Sequence, residues 1–382
     1  MPHLARAATT LLMLAAWLAS GPSATADPPA ASEVNLGAVV DKAVKPFLER
    51  KKAVGLVVGV VRDGKTDVFG RGRVAPDSDR VPDGSTLYEI GSISKVFTSL
   101  ALAAMVGEGA VKLDDPVRTL LPGDWKVPRR GDREITLADL ATHTSGLPRV
   151  PPAVIFRAIF NDDPYAAFDD RALRQFLSAH TLRRDPGSKF EYSNLGAGLL
   201  GYALALKAGG DYEALIASKV TGPLGMTSTR VVPGPALEPR LAKGYKAGGV
   251  PTASWRLDTL AGAGALKSSV DDMLRFLDAQ LGHAPSSLAP AIAMARQPRV
   301  DADAKGTRIG LGWLLRTSKD GRTRIWHNGG TGGYRSFAAF DPDARIGVVV
   351  LANTDAEVDT IGAEVFLALL PAPPPKPEPA PR

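Results

Sequence analysis

The chain has 382 residues, of which 23% are charged, and its formal net charge is +6. This length exceeds the size at which one hydrophobic core usually stops growing, so we expect one large domain built from two packed sub-units. The mild charge and the lack of a long basic run argue against a nucleic-acid partner. The chain contains no cysteine, which excludes disulfides, cysteine nucleophiles and thiolate metal sites.

The N-terminus predicts export. Arg6 is followed by the short apolar run "LLMLAAWLA" (Leu11 to Ala19), and "ATA" at positions 24–26 is typical of a signal-peptide cleavage site. A membrane anchor would need about twenty apolar residues, and this run is shorter. We therefore expect a signal peptide over 1–26, a leader over 27–35, and no membrane span in the mature chain.

The first strands should form a hairpin, because two β-rich runs flank Asp63 and Gly64. The same segment, "GVVRDGKT" (Gly59 to Thr66), fits the phosphate-loop pattern G-x-x-x-x-G-K-T. That pattern needs a loop that leads into a helix, whereas strand-like residues stand on both sides here. We therefore predict a hairpin and no nucleotide site.

A buried helix is predicted from Ser92 to about Gly107, and it carries Lys95 three residues after Ser92. A serine hydroxyl is a poor nucleophile until a base takes its proton. A lysine can be that base if burial lowers its pKa, and residues three apart share one face of a helix. The alternative is a capping serine followed by a solvated lysine, and this tetrad alone favours that alternative.

The order of the remaining elements predicts the architecture. Helical segments joined by Pro/Gly loops run to about residue 264, and the last third of the chain has strands followed by a closing helix. The simplest fold pairs the N- and C-terminal strands in one antiparallel sheet flanked by helices, with a mainly helical subdomain (about 100–264) inserted. We expect an α/β (α+β) domain over 36–370 with a cleft at the junction. The proline-rich tail, 371–382, should be disordered.

Two further segments carry candidate site residues. "FEYSN" places Tyr192 and Asn194 two residues apart, so that an extended chain would point both the same way. A tyrosine beside a lysine can relay protons, although Ser193 or Asn194 could merely cap a helix. "WHNGGTGGYRSF" (Trp326 to Phe337) is a glycine-rich run between strands, which indicates a bulge or the close approach of a ligand to backbone, with a long hairpin loop as the alternative.

These three segments together resemble the penicillin-recognising serine enzymes, a group that includes class C β-lactamases, D-alanyl-D-alanine peptidases and related esterases. The matching triplets are "SISK" (Ser92 to Lys95), "YSN" (Tyr192 to Asn194) and "HNG" (His327 to Gly329). They occur in the family's order, and "YEIGSISK" is very similar to the class C active-site signature. The likeness extends over nearly the whole mature chain and implies a β-lactamase/transpeptidase-like fold.

The resemblance also implies roles for these residues. Ser92 would be the acylated nucleophile, and Lys95 and Tyr192 would shuttle its proton and that of the leaving amine. Asn194 would bind the lysine and the substrate's side-chain amide. His327, Asn328 and Gly329 would line the substrate site. The N–H groups of Ser92 and Gly330 would form the oxyanion hole. No metal or cofactor is implied, and the location would be the bacterial periplasm or the exterior.

The chain departs from the class C pattern at two places. The third triplet has His327 where class C enzymes have a lysine and some D-alanyl peptidases have a histidine, and it has Asn328 where class C enzymes have a hydroxyl residue. After "GLP" the sequence reads "RVPP", without a counterpart of the class C glutamine. A histidine is not always charged at neutral pH, so the substrate class is the least determined part of the resemblance.

The leading hypothesis from the sequence is an exported class C-type serine β-lactamase that acts through an acyl-enzyme on Ser92. A D-alanyl-D-alanine carboxypeptidase or endopeptidase of cell-wall peptide and a short-chain carboxylesterase are the alternatives within the family. A non-catalytic penicillin- or peptide-binding protein is the alternative outside it. The expected partner is a small β-lactam or cell-wall peptide. A monomer is the default expectation, and the sequence leaves the oligomeric state open.

Overall fold

The structure is a computed structural model that describes residues 35–50 and 53–371. Its helices precede, interrupt and follow the main sheet. The α-helices are α1 (Leu36–Glu49), α2 (Ser94–Gly107), α3 (Leu137–Ala141), α4 (Pro152–Arg157), α5 (Asp170–Ala179), α6 (Asn194–Lys207), α7 (Tyr212–Ile216), α8 (Val270–Leu281), α9 (Ala289–Arg296) and α10 (Asp359–Leu369).

Antiparallel pairing joins most strands into one eight-stranded sheet of order β2-β1-β12-β11-β10-β9-β8-β7. Two further pairs, β3 with β6 and β4 with β5, are short. The strands are β1 (Gly55–Arg62), β2 (Lys65–Gly72), β3 (Leu87–Glu89), β4 (Tyr245–Lys246), β5 (Val250–Pro251), β6 (Lys267–Ser269), β7 (Val300–Asp301), β8 (Arg308–Ile309), β9 (Leu314–Thr317), β10 (Thr323–Gly330), β11 (Arg335–Asp341) and β12 (Ile346–Ala352).

The centre of the sheet is formed by both ends of the chain, as the sequence predicts. Strand β1 pairs with β12 along its length, from Leu56 with Ala352 to Arg62 with Ile346. Because both strands are buried on both faces, they are continuous apolar runs rather than alternating ones. The predicted antiparallel sheet from terminal strands is therefore confirmed.

Two cores lie on opposite faces of this sheet. Val58 and Val350 belong to the core shared with α1 and α10, whereas Val57 and Val349 belong to the core shared with the helical part of the chain. Alternate residues of a strand point to opposite faces, so each central strand supplies both cores. The helices between β3 and β6 form the inserted, mainly helical part.

The hairpin predicted at Asp63 and Gly64 is present between β1 and β2. Both turn residues have positive φ, 49° and 77°, which suits a tight two-residue connection. The segment that fits the phosphate-loop pattern, from Gly59 to Thr66, is therefore two paired strands and their turn. No helix follows it, so the phosphate-binding geometry that the pattern requires is not formed.

Helix α8 is capped at both ends. Ser269 accepts a hydrogen bond from the backbone N–H of Asp272, and Gly282 has the left-handed conformation that ends the helix. Ser193 is likewise the N-cap of α6, since its Oγ accepts from the N–H of Gly196 at 2.8 Å. This cap fixes the chain that leads into α6.

The predicted signal peptide (1–26), the leader up to residue 34, and the proline-rich tail beyond Pro371 lie outside the described residues. Their assignments stay predictions. Within residues 35–50 and 53–371, every helix is too short or too polar to cross a membrane.

Candidate active site

Ser92 lies in a single 3-10 turn, Gly91–Ile93, that leads directly into α2. Gly91 has φ of +49°, a conformation that glycine adopts without a Cβ penalty. A Cβ on Gly91 would also lie 2.6 Å from the backbone nitrogen of Gly330. The turn can therefore approach strand β10 closely, and the half-buried Ser92 faces the pocket between them.

Lys95 is one helical turn beyond Ser92 and is buried, with 2% of its surface exposed. Its Nζ donates to Ser92 Oγ at 2.9 Å and to the carbonyl oxygen of Ala263 at 2.6 Å. Burial lowers the pKa of the Lys95 ammonium well below its usual value, and the nearby charge of Arg149 adds to this effect. The alternative of a solvated lysine is therefore wrong.

Tyr192 reaches the same point from far along the chain. It lies in extended backbone just before α6, and Ser193, buried between Tyr192 and Asn194, holds that segment through a hydrogen bond to the carbonyl of Pro148 at 2.7 Å. Lys95 Nζ lies 4.9 Å from the centroid of the Tyr192 ring. Burial raises the pKa of Tyr192 to about 12, even though Arg149 and a hydrogen bond with Ser92 act in the opposite direction.

His143, which the sequence did not single out, packs against the ring of Tyr192 and hydrogen-bonds the backbone next to it. Its Nδ1 accepts a hydrogen bond from the N–H of Ser193 at 3.1 Å, and its carbonyl accepts from the N–H of Glu191 at 2.8 Å. The two rings have centroids 4.4 Å apart. His143 is 2% exposed, and burial together with the charge of Lys95 lowers its pKa well below the usual value. It therefore acts as a neutral positioning residue.

The glycines of β10 allow the strand to lie against the Ser92 turn. A Cβ on Gly329 would come within 2.1 Å of the carbonyl oxygen of Ile90 and 3.0 Å of the backbone nitrogen of Ser92. Gly329 and Gly330 therefore belong to a strand that packs closely against the Ser92 turn, and not to a long hairpin loop. The backbone nitrogens of Ser92 and Gly330 both lie at this contact, as an oxyanion hole made from them requires.

His327 is part of β10 and is buried, with 1% of its surface exposed. Its Nδ1 contacts the carbonyl oxygen of Asn328 at 2.6 Å, and its ring centroid is 6.4 Å from that of Tyr192. Burial, followed by the charge of Lys95, lowers the pKa of His327 to about 3. The side chain is therefore neutral at physiological pH and does not supply a cation for a substrate carboxylate.

Asn194 and Asn328 line the pocket from different elements. Asn194 Nδ2 donates to the hydroxyl of Tyr165 at 3.1 Å, and its Oδ1 is buried without a hydrogen-bond partner. Asn328 Nδ2 donates to Asp359 Oδ2 at 3.1 Å. The contact between Asn194 and the active-site lysine that the resemblance implies is absent from the hydrogen bonds of the described residues, and Tyr165 takes its place.

The pKa shifts of Lys95 and Tyr192 indicate which of the two can act as a base and which as an acid. A lysine whose pKa is lowered by burial is a better base than a solvated lysine, and the Nζ of Lys95 is within proton-transfer distance of Ser92 Oγ. A tyrosine with a pKa of about 12 is protonated near neutral pH, so its hydroxyl can pass a proton on but is a poor resting base. Within residues 35–50 and 53–371, no group of His, Asp or Glu side chains is arranged to hold a metal ion.

The comparisons with known proteins agree with this geometry. The family model described as Beta-lactamase matches residues 40–370. The D-alanyl-D-alanine-carboxypeptidase/endopeptidase AmpH of Escherichia coli (strain K12) is 32% identical over 332 residues, which cover 82% of this chain and 83% of AmpH. A β-lactamase of Pseudomonas fluorescens is 28% identical over 352 residues, which cover 82% of this chain and 92% of that protein.

Solved structures show the same fold. A class C β-lactamase from Rhodobacter sphaeroides superposes with a TM-score of 0.75 at 28% identity, covering 86% of this chain and 98% of the other. The β-lactamase/D-alanine carboxypeptidase from Yersinia pestis, complexed with citrate, has a TM-score of 0.76 at 26% identity, covering 87% of this chain and 97% of the other. The chain belongs to the β-lactamase family of serine hydrolases, as its motifs predict.

Proposed function

We propose that the chain is an exported serine hydrolase that opens β-lactam amides through an acyl-enzyme on Ser92. The observation that carries this proposal is the buried amine of Lys95, whose Nζ lies 2.9 Å from Ser92 Oγ. A desolvated lysine in contact with a hydroxyl at the start of a helix is the arrangement that makes a serine nucleophilic.

The reaction would proceed in two stages. Neutral Lys95 takes the hydroxyl proton as Ser92 Oγ attacks the amide carbonyl, and the N–H groups of Ser92 and Gly330 stabilise the negative oxygen that forms. The C–N bond then breaks, and the leaving nitrogen receives a proton through the hydroxyl of Tyr192. Water then attacks the Ser92 ester while the Lys95–Tyr192 pair takes one of its protons, and that proton passes to Ser92 Oγ as the ester C–O bond breaks and the acid is released.

A second candidate is cleavage of D-alanyl-D-alanine peptides by the same chemistry. Two observations favour it. His327 is buried and neutral, whereas the resemblance places a lysine there in class C β-lactamases. The 32% identical relative is a D-alanyl-D-alanine carboxypeptidase/endopeptidase by name. Both candidates predict acylation of Ser92 and differ in which acyl-enzyme is hydrolysed quickly.

Side-by-side kinetics separate the candidates. Turnover of nitrocefin, a D-Ala-D-Ala peptide and p-nitrophenyl butyrate would be measured with the wild-type enzyme and with Ser92→Ala as the blank. Nitrocefin turnover that exceeds peptide turnover supports the lactamase. Negligible nitrocefin turnover together with fast peptide release contradicts it and supports the peptidase. Fast hydrolysis of p-nitrophenyl butyrate without turnover of nitrocefin or the peptide would contradict both the lactamase and the peptidase and would favour an esterase.

Export is part of the proposal and rests on residues 1–26, which have a positive start, a short apolar run and a small-residue cleavage site. Expression in a Gram-negative bacterium followed by N-terminal sequencing of the periplasmic fraction tests it. A mature N-terminus at Asp27 is expected, and an uncleaved cytoplasmic chain would contradict export.

A further inference from the structure

We propose that Arg149 binds a carboxylate on the acyl part of the substrate, so that the enzyme favours acyl groups that carry a negative charge. This inference rests on the proposed acylation of Ser92 and extends it to substrate selection. The starting observation is that the side chain of Arg149 lines the same pocket as Ser92, Tyr192 and Asn194.

The backbone of Arg149 is firmly attached to the start of α6. Its carbonyl oxygen accepts hydrogen bonds from the N–H groups of Asn194 at 2.8 Å and Leu195 at 3.3 Å. The preceding carbonyl, that of Pro148, accepts from the hydroxyl of Ser193. Arg149 and Asn194 thus belong to one rigid wall of the pocket, and a rigid support is what a binding residue needs.

The guanidinium lies over the ring of Tyr192, with Arg149 Cζ 4.9 Å from the ring centroid. Such a cation–π contact holds the guanidinium against the ring, and an arginine in this kind of contact can still donate hydrogen bonds from its outer N–H groups. The side chain is half-buried, so a carboxylate that reaches it would be only partly screened by water. Bidentate pairing with a carboxylate is the geometry that an arginine favours.

Arg149 differs from the other cations of the pocket because no acidic side chain pairs with it. Lys246 Nζ contacts Asp162 at 2.8 Å, and Arg335 contacts Glu357 at 3.5 Å. Among the described residues, the Arg149 side chain has no hydrogen bond or ion pair, and its Nε is buried without a partner. A buried donor that lacks a partner is unfavourable, and a substrate carboxylate would supply one.

The matched substrates are benzylpenicillin and carbenicillin. They share the β-lactam ring, the leaving nitrogen and the ring carboxylate, and carbenicillin adds one carboxylate on the acyl side chain. The quantity to measure is the second-order rate constant for acylation of Ser92, followed by mass spectrometry of the intact protein. The ratio of the two constants removes effects of Arg149 on the shared chemistry, including its effect on Lys95.

Arg149→Gln should lower the carbenicillin-to-benzylpenicillin ratio at least about 10-fold, because a hydrogen bond between charged groups is lost. Arg149→Lys keeps the charge and should retain most of the ratio. Arg129→Gln, which removes the same charge from an exposed position outside the pocket, is the matched control and should leave the ratio unchanged. Circular dichroism of each variant checks that it is folded.

Two results would overturn the inference. If Arg149→Gln slows acylation by both penicillins equally, Arg149 acts on the catalytic groups and does not select the acyl group. If neither penicillin acylates Ser92 in the wild-type enzyme, the proposed function fails and the inference falls with it. These outcomes are distinguishable, because the first leaves a Ser92 adduct in the wild type and the second does not.

Discussion

Replacement of Lys95 by methionine tests whether a buried amine activates Ser92. Methionine keeps an unbranched side chain as far as the ε carbon and removes the only nitrogen that hydrogen-bonds Ser92 Oγ in the described residues. The remaining candidate base is Tyr192, and its pKa of about 12 makes it a poor one near neutral pH. The variant should therefore lose acylation rather than substrate binding.

The size of the loss can be bounded from the geometry. A positioned general base contributes about 10²–10⁴-fold, and the 2.9 Å contact of Lys95 with Ser92 is within direct transfer distance. We expect the acylation rate constant to fall about 10³-fold or more. Stability should change little, because the loss of two hydrogen bonds, about 1 kcal/mol each, is opposed by removal of a desolvated ionisable group.

The size of the stability change depends on pH. The folded pKa of Lys95 lies below its unfolded value, so between these two pKa values the folded state binds fewer protons than the unfolded state and loses stability as the pH falls. This cost to the wild-type fold grows as the pH falls. The melting temperature of Lys95→Met minus that of the wild type should therefore be larger at pH 6 than at pH 9.

The assay is stopped-flow acylation by a fluorescent penicillin, with calorimetry at both pH values. Ser99→Ala is the matched control, since Ser99 is buried on α2 one turn beyond Lys95 and is not among the residues that line the pocket. Acylation of Lys95→Met at the rate of the control would rule out Lys95 as the base that activates Ser92. A severe loss of stability at both pH values would instead indicate a structural lysine.

Three further substitutions probe other parts of the site. Tyr192→Phe should slow amide substrates about 10²-fold or more but slow p-nitrophenyl esters less, because their leaving group needs no proton; equal losses in kcat/KM would contradict a relay role. His327→Gln should make the free energy of unfolding less dependent on pH below pH 6.5. A buried histidine whose folded pKa is about 3 makes the wild-type protein less stable as the pH falls from 6.5 towards 3. Denaturant titrations across that range measure the dependence, and the same slope in the variant and the wild type would argue against a buried neutral ring. Gly329→Ala should disrupt the contact with the carbonyl oxygen of Ile90 and abolish activity. Gly107→Ala is the control, because a Cβ at Gly107 would meet open space, and it should keep its activity. Comparable activity in the two variants would mean that the close approach of β10 to the Ser92 turn is dispensable.

The sequence predicted the elements whose signal is local. The hairpin at Asp63 and Gly64, the buried helix after Ser92 and the strands of the sheet follow from turn residues and periodicity. The placement of Lys95 beside Ser92 follows from helical spacing, because both lie within one turn. Such features need no knowledge of the tertiary structure.

Contacts between distant segments could not be read in the same way. The carbonyl of Ala263 that holds Lys95, and His143 beneath Tyr192, are backbone and packing partners from separate loops. Every residue has a carbonyl oxygen, so the sequence does not indicate which one binds Lys95. His143 is a single histidine in "LATHTSGLP", and no pattern around it predicts its contact with Tyr192. Arg149 stood in the segment where the chain departs from the class C pattern, and that departure was the available signal. The burial that makes His327 neutral depends on helices and strands on both sides of β10.

The most direct test of the central claim is peptide mapping by mass spectrometry after incubation with benzylpenicillin. The account predicts one adduct of the penicillin's mass, on the peptide that contains Ser92, and its disappearance in Ser92→Ala. An adduct on a different residue, or one that persists in Ser92→Ala, would contradict the assignment of the nucleophile and the mechanism built on it.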